Sequence, residues 1–181
     1  MQKLDTVSPE MRRRLLTNRN GRLTADQWLD LVTEPLVGLL LLLPPLILIF
    51  GPRIAIFKLA FWMVILAALA AMFVPVIFRA RRYARAPLHF DTLYAGARAA
   101  PLWRFWRPPA LRTASGEEMR FSRRLAPYTP LRRDCAYHVY YLKDSEGLTL
   151  LSIAPADHPD ARLWQPTEAF AARFERRSGG R

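Results

Sequence analysis

Charge is missing from two long windows of this chain and dense almost everywhere else. No charged residue lies between Glu34 and Arg53, and none between Lys58 and Arg79. The first window contains PLVGLLLLLPPLILIFG, Pro35 to Gly51, and the second is LAFWMVILAALAAMFVPVIF, Leu59 to Phe78. A helix advances about 1.5 Å per residue, and a bilayer core is about 30 Å thick. A core helix of a globular domain shows a polar face at a period of about 3.6 residues, and neither run has one. Backbone groups in lipid must bond within their own segment, so both runs are expected to be helical. The pattern predicts a transmembrane hairpin over 35–78, with helices at about 35–51 and 56–78. Pro44 and Pro45 predict a bend in the first helix, because each removes a backbone donor. The first uncharged window is 18 residues long, which leaves a re-entrant hairpin as the alternative.

Orientation follows from the flanks. Arg12, Arg13, Arg14, Arg19 and Arg22 precede the hairpin, and Arg79, Arg81, Arg82 and Arg85 follow it. The connecting turn Gly51-Pro52-Arg53 carries little charge. By the positive-inside rule, both termini are expected on the cytoplasmic side of an inner membrane crossed twice. The cluster Arg79, Arg81, Arg82 and Arg85 is expected to contact anionic lipid headgroups at the membrane surface. A cleavable signal peptide is not expected, because the apolar run begins far from Met1 and no small-x-small site follows.

Residues 1–34 are expected to form a helix-turn-helix segment. Ser8-Pro9-Glu10 is a helix start, with Ser as cap and Pro in the first position. Thr24 and Gln27 form a capping box, and Leu23 can staple onto Trp28. The stretch Leu16 to Gln27 resembles an EF-hand loop at Asn18, Asn20, Gly21 and Leu23. Leu16 and Gln27 stand where that loop needs carboxylates, so calcium is not expected.

Residues 79–109 read as a basic juxtamembrane connector. Pro87 to Ala99 is taken as a short helix containing Leu88, Leu93 and Tyr94, and Trp103, Phe105 and Trp106 alternate with Arg104 and Arg107. Residues 110–181 read as a small β-rich domain. Leu111–Thr113 and Glu118–Ser122 flank the turn residues Ala114-Ser115-Gly116, and Cys135–Leu142 and Leu148–Ile153 flank Asp144-Ser145-Glu146-Gly147. Four such strands suggest a small antiparallel sheet or a partly open barrel, closed off by a helix from about Pro166 to Arg177. The fold class expected is thus an α+β membrane protein: a two-helix hairpin, short N-terminal helices and a small antiparallel β domain ending in a helix.

The chemistry is sparse. One cysteine, Cys135, excludes an internal disulfide and a cysteine-based zinc site. Asp134 beside it, a like charge for a thiolate, argues against a reactive cysteine. The run Asp157-His158-Pro159-Asp160 is ordinary turn chemistry, and His138 lies among aromatics as a packed residue. No Gly-rich phosphate loop, nucleophile elbow or spaced carboxylate pair is present, so no catalytic, cofactor or metal site is assigned. Net charge is +12, and arginine supplies 24 of the 27 basic residues. Arginine binds phosphate and carboxylate through a planar fork. The expected function is non-enzymatic: a membrane-anchored interaction, scaffold or accessory-subunit protein with a protein partner or a second copy of itself, and with anionic lipid beneath. The alternative is a membrane-tethered binder of nucleic acid or another anionic ligand, using Arg120, Arg123, Arg124, Arg132 and Arg133. A small membrane-associated enzyme is the third reading.

Overall fold

A computed structural model describes residues 7–33, 44–45, 58–96, 110–145 and 147–178. The chain divides into two compact units, Met1–Gln27 with Ala86–Arg181, and Trp28–Arg85.

The first unit is a closed five-stranded barrel. Its strands are β1 (Leu88–Ala95), β2 (Ala110–Arg112), β3 (Glu118–Arg124), β4 (Ala136–Asp144) and β5 (Gly147–Pro155). They close in the order β1-β2-β3-β5-β4. Every pairing is antiparallel except β3 with β5, which is parallel. Side chains alternate across a strand, so the register fixes what faces inward. Leu93 lies opposite Tyr137, Val139 opposite Ile153, and Leu111 opposite Met119. Leu93, Leu111, Tyr137, Val139 and Ile153 are buried, and Phe121 meets Tyr141 edge-on at 6.0 Å. The β4–β5 turn depends on Gly147, whose φ of 124° strains any other residue and where a Cβ would lie 2.8 Å from Ser122 Oγ.

The outward side of β4 and β5 is covered by a second layer. Helix α1 (Pro9–Asn18) starts at Ser8, whose hydroxyl accepts from Met11 N at 3.2 Å. Its buried Asn18 donates to Ser152 Oγ at 2.9 Å, and Arg14 donates to Leu125 O at 2.5 Å. Thr24 and Gln27 close their capping box at the start of helix α2 (25–33). Gln27 also donates to Leu151 O at 2.9 Å, so the cap is tied to the barrel. A 3-10 turn, Ala161–Trp164, presents the Trp164 carbonyl to the Tyr140 hydroxyl at 2.6 Å. Phe170 meets the Tyr140 ring edge-on at 5.9 Å. Residues 7–27 therefore belong to the barrel's own packing through bonds to β5 and its neighbours.

The second unit contains helix α3 (Lys58–Arg85). It continues through Pro75 and ends in Arg79, Arg81, Arg82 and Arg85. Met63, Leu66, Phe73, Ile77 and Phe78 are exposed on it.

Three expectations are corrected. Among the described residues no helix is long and apolar enough to cross a membrane. The expected transmembrane hairpin, the integral-membrane class and the twice-crossed inner-membrane location fall with that finding. Of the two runs on which they rested, Pro35–Gly51 lies outside the described residues except at Pro44 and Pro45. The other run is part of a helix that carries on into four arginines. Second, residues 88–95 are a strand and not a helix. Leu88 and Leu93 suggested helical packing, but His89, Phe90, Asp91 and Thr92 pair residue by residue with Tyr141 to His138. Third, the sheet is neither open nor wholly antiparallel. The extra strand β1 bridges β2 and β4, and the parallel β3–β5 pairing completes the ring. The aromatic–arginine stretch Trp103–Arg107 lies outside the described residues.

Candidate anion-binding face

The outward side of β2, of β3 and of the C-terminal end of β1 carries polar and basic side chains. Leu111 points into the barrel, so its neighbour Arg112 points out. Arg112 lies opposite Tyr94 on β1 and opposite Glu118 on β3. Tyr94 is 40% exposed. Arg120, two residues beyond Glu118, lies opposite Ala110 and is exposed. Arg120 pairs with Glu118 at 3.2 Å, an exposed ion pair of little energetic weight. No carboxylate pairs with Arg112 among the described residues. Tyr94, Arg112 and Arg120 thus form one solvent-facing group on adjacent strands.

The β3–β4 loop adds a second aromatic. Arg124 donates to Ala126 O at 3.0 Å and to Pro127 O at 2.7 Å. Burial lowers the pKa of Arg124, and the neighbouring Tyr128 acts against that shift. The guanidinium lies 5.3 Å from the centroid of the Tyr128 ring, which is 73% exposed. This loop returns to β1: Ala95 N donates to Cys135 O at 3.1 Å and Asp134 N to Ala95 O at 3.2 Å. The loop bearing Tyr128 therefore rejoins the barrel, through Asp134 and Cys135, beside Tyr94.

The arginines singled out in the sequence divide by role. Arg120 stands on the exposed face. Arg123 is half-buried on β3, and Arg124 is engaged with its own loop carbonyls. Arg132 lies in the β3–β4 loop 3.8 Å from Asp157, and its backbone N–H donates to the Tyr137 hydroxyl at 2.6 Å. Arg133 is exposed beside it. Arg79, Arg81, Arg82 and Arg85 occupy the last turns of α3, in the other unit. Tyr94 and Arg112 were missed. Reading 88–95 as helix hid the outward row Phe90, Thr92, Tyr94, and three residues of β2 are too short for an alternation signal.

A polar group also lines the barrel itself. The Tyr141 hydroxyl donates to Asp91 Oδ2 at 2.5 Å, and His89 stacks on the Tyr141 ring at 5.2 Å. Burial holds the His89 pKa below its ordinary value, with Asp91 opposing and Lys143 reinforcing the shift. His138 is likewise lowered by burial, and its Nδ1 lies 3.3 Å from Thr92 Oγ1. Among the described residues no group of three His, Cys, Asp or Glu side chains is placed to hold a metal ion. No protein-family model, curated protein or solved structure matches this chain.

Proposed function

We propose that this chain is a non-enzymatic binding protein whose barrel engages an anionic partner through the outward face of β1–β3. The observation that carries this reading is the asymmetry of the barrel surface. Among the described residues, helices and a 3-10 turn cover β4 and β5, while the β1–β3 side leaves Tyr94, Arg112 and Arg120 in solvent. A net charge of +12 supports attraction of an anion from a distance. Guanidinium forks then hold phosphate, sulfate or carboxylate groups by paired hydrogen bonds.

Heparin is a suitable first probe, because it is a polyanion without a specific sequence. The full chain should bind it with an affinity that falls steeply as salt rises. Arg112→Gln together with Arg120→Gln should weaken binding by roughly tenfold and reduce the salt slope by about two, since two ionic contacts are lost. Both side chains are exposed, so thermal unfolding should be nearly unchanged. An affinity and slope equal to those of the parent chain would remove the face from consideration.

A further inference from the structure

We infer that the ligand of this face is single-stranded nucleic acid. The inference rests on the anion-binding reading above and narrows it to one chemical class.

The distinguishing feature is the aromatic component. Tyr94 lies directly opposite Arg112, on strands about 4.8 Å apart. Arg120 is a diagonal neighbour of Arg112, about 7–8 Å away, within reach of long side chains. The face therefore offers an exposed ring beside two guanidinium groups, one of which a ligand phosphate would draw from its exposed pair with Glu118. Guanidinium alone would serve any polyanion. A ring adds something only for a ligand with flat faces of its own, and single-stranded bases have them. In a duplex those faces are stacked inside the helix. Sulfated sugars and acidic side chains have none.

Tyr128 supports the same conclusion. Its ring is 73% exposed, with the Arg124 guanidinium 5.3 Å from its centroid. Arg124 is fastened to Ala126 O and Pro127 O, so the ring lies against a fixed support. The far end of the loop that holds it, Asp134 and Cys135, is hydrogen-bonded to Ala95, next to Tyr94 in the chain. Each exposed tyrosine has an arginine partner, Arg112 opposite Tyr94 and Arg124 against Tyr128, so each ring can stack a base. Stacking on a ring does not discriminate among bases, so binding should tolerate any sequence.

The test uses the full chain and three probes: a fluorescein-labelled single-stranded oligonucleotide of about twelve residues, long enough for one barrel, the duplex of the same sequence, and heparin. At equal salt the single strand should bind about tenfold or more tightly than the duplex. Tyr94→Leu should weaken single-strand binding by about tenfold, because one stacking contact is lost, and leave heparin binding unchanged. Tyr94→Phe keeps the ring and should keep the affinity. Arg112→Gln with Arg120→Gln should weaken both probes. Equal affinity for single strand and duplex, with no effect of Tyr94→Leu, would overturn this inference while heparin binding through the arginines left the anion-binding face standing. Tighter binding of poly-glutamate than of the oligonucleotide would also overturn it in favour of an acidic protein. Absence of binding to every polyanion would overturn both readings.

Discussion

Trp164→Ala should destabilise the barrel unit by about 3–5 kcal/mol, the range for removing a large buried aromatic. The side chain is 2% exposed, and its ring lies 4.7 Å from that of His158. It belongs to the layer that covers the outward side of β4. The Trp164 carbonyl accepts from the buried Tyr140 hydroxyl, and Tyr140 in turn meets Phe170. Alanine keeps that carbonyl but leaves a cavity beneath it, so the hydrogen bond loses its packing support. The denaturant midpoint should fall sharply with little change in the slope of the transition. A loss below about 1 kcal/mol would mean that the 3-10 turn is peripheral to the fold.

Stability should also decline steeply at alkaline pH. Tyr137, Tyr140 and Tyr141 all have pKa values raised above the ordinary tyrosine range, and burial is the first cause in each. For Tyr141 the hydrogen bond to Asp91 and that group's charge add to the effect. A raised folded pKa means that the fold holds the neutral phenol. Its contribution is fully present below about pH 10, where unfolded tyrosine is also neutral. It drains away as pH rises from there toward the folded value. Each such tyrosine should remove up to about 1.4 kcal/mol per pH unit. Tyr140 and Tyr141 together make the loss between pH 10 and pH 11 roughly 2–3 kcal/mol. Urea midpoints from pH 8 to pH 11 test this directly. They should be flat to about pH 9 and fall beyond pH 10, and Tyr141→Phe should make the fall shallower. A flat profile to pH 11 would show that these hydroxyls reach solvent.

Local chemistry was legible in the sequence where it is short-range. The Ser8 cap and the Thr24–Gln27 capping box depend on residues three apart, and both form. The tyrosine-rich run of β4 and the Gly147 turn are also local, and the strands are found there. Barrel closure was not legible. It requires β1 to meet β4 across more than forty residues and β3 to run parallel to β5, neither of which leaves a local trace. β1 was misread because its burial does not alternate cleanly: His89, Phe90 and Asp91 are all half-buried. A strand whose inner side carries His89 and Asp91 gives no apolar period of two. The apolar windows were the strongest sequence signal and led to the largest error, since run length alone does not determine how far a helix extends or what ends it. The role of Arg124 was equally hidden. In sequence it is one of a basic pair, and only the loop geometry turns it toward carbonyls and leaves Arg112 with Tyr94 in solvent.

Amide hydrogen exchange of the full chain with and without saturating single-stranded oligonucleotide tests the central claim most directly. Ligand on the β1–β3 face should slow exchange at residues 92–95, 110–112 and 118–122. Peptides from α1 and β5, on the covered side, should be unchanged. Protection confined to the last turns of α3, or to Arg132 and Arg133, with β1–β3 unaffected, would contradict the account.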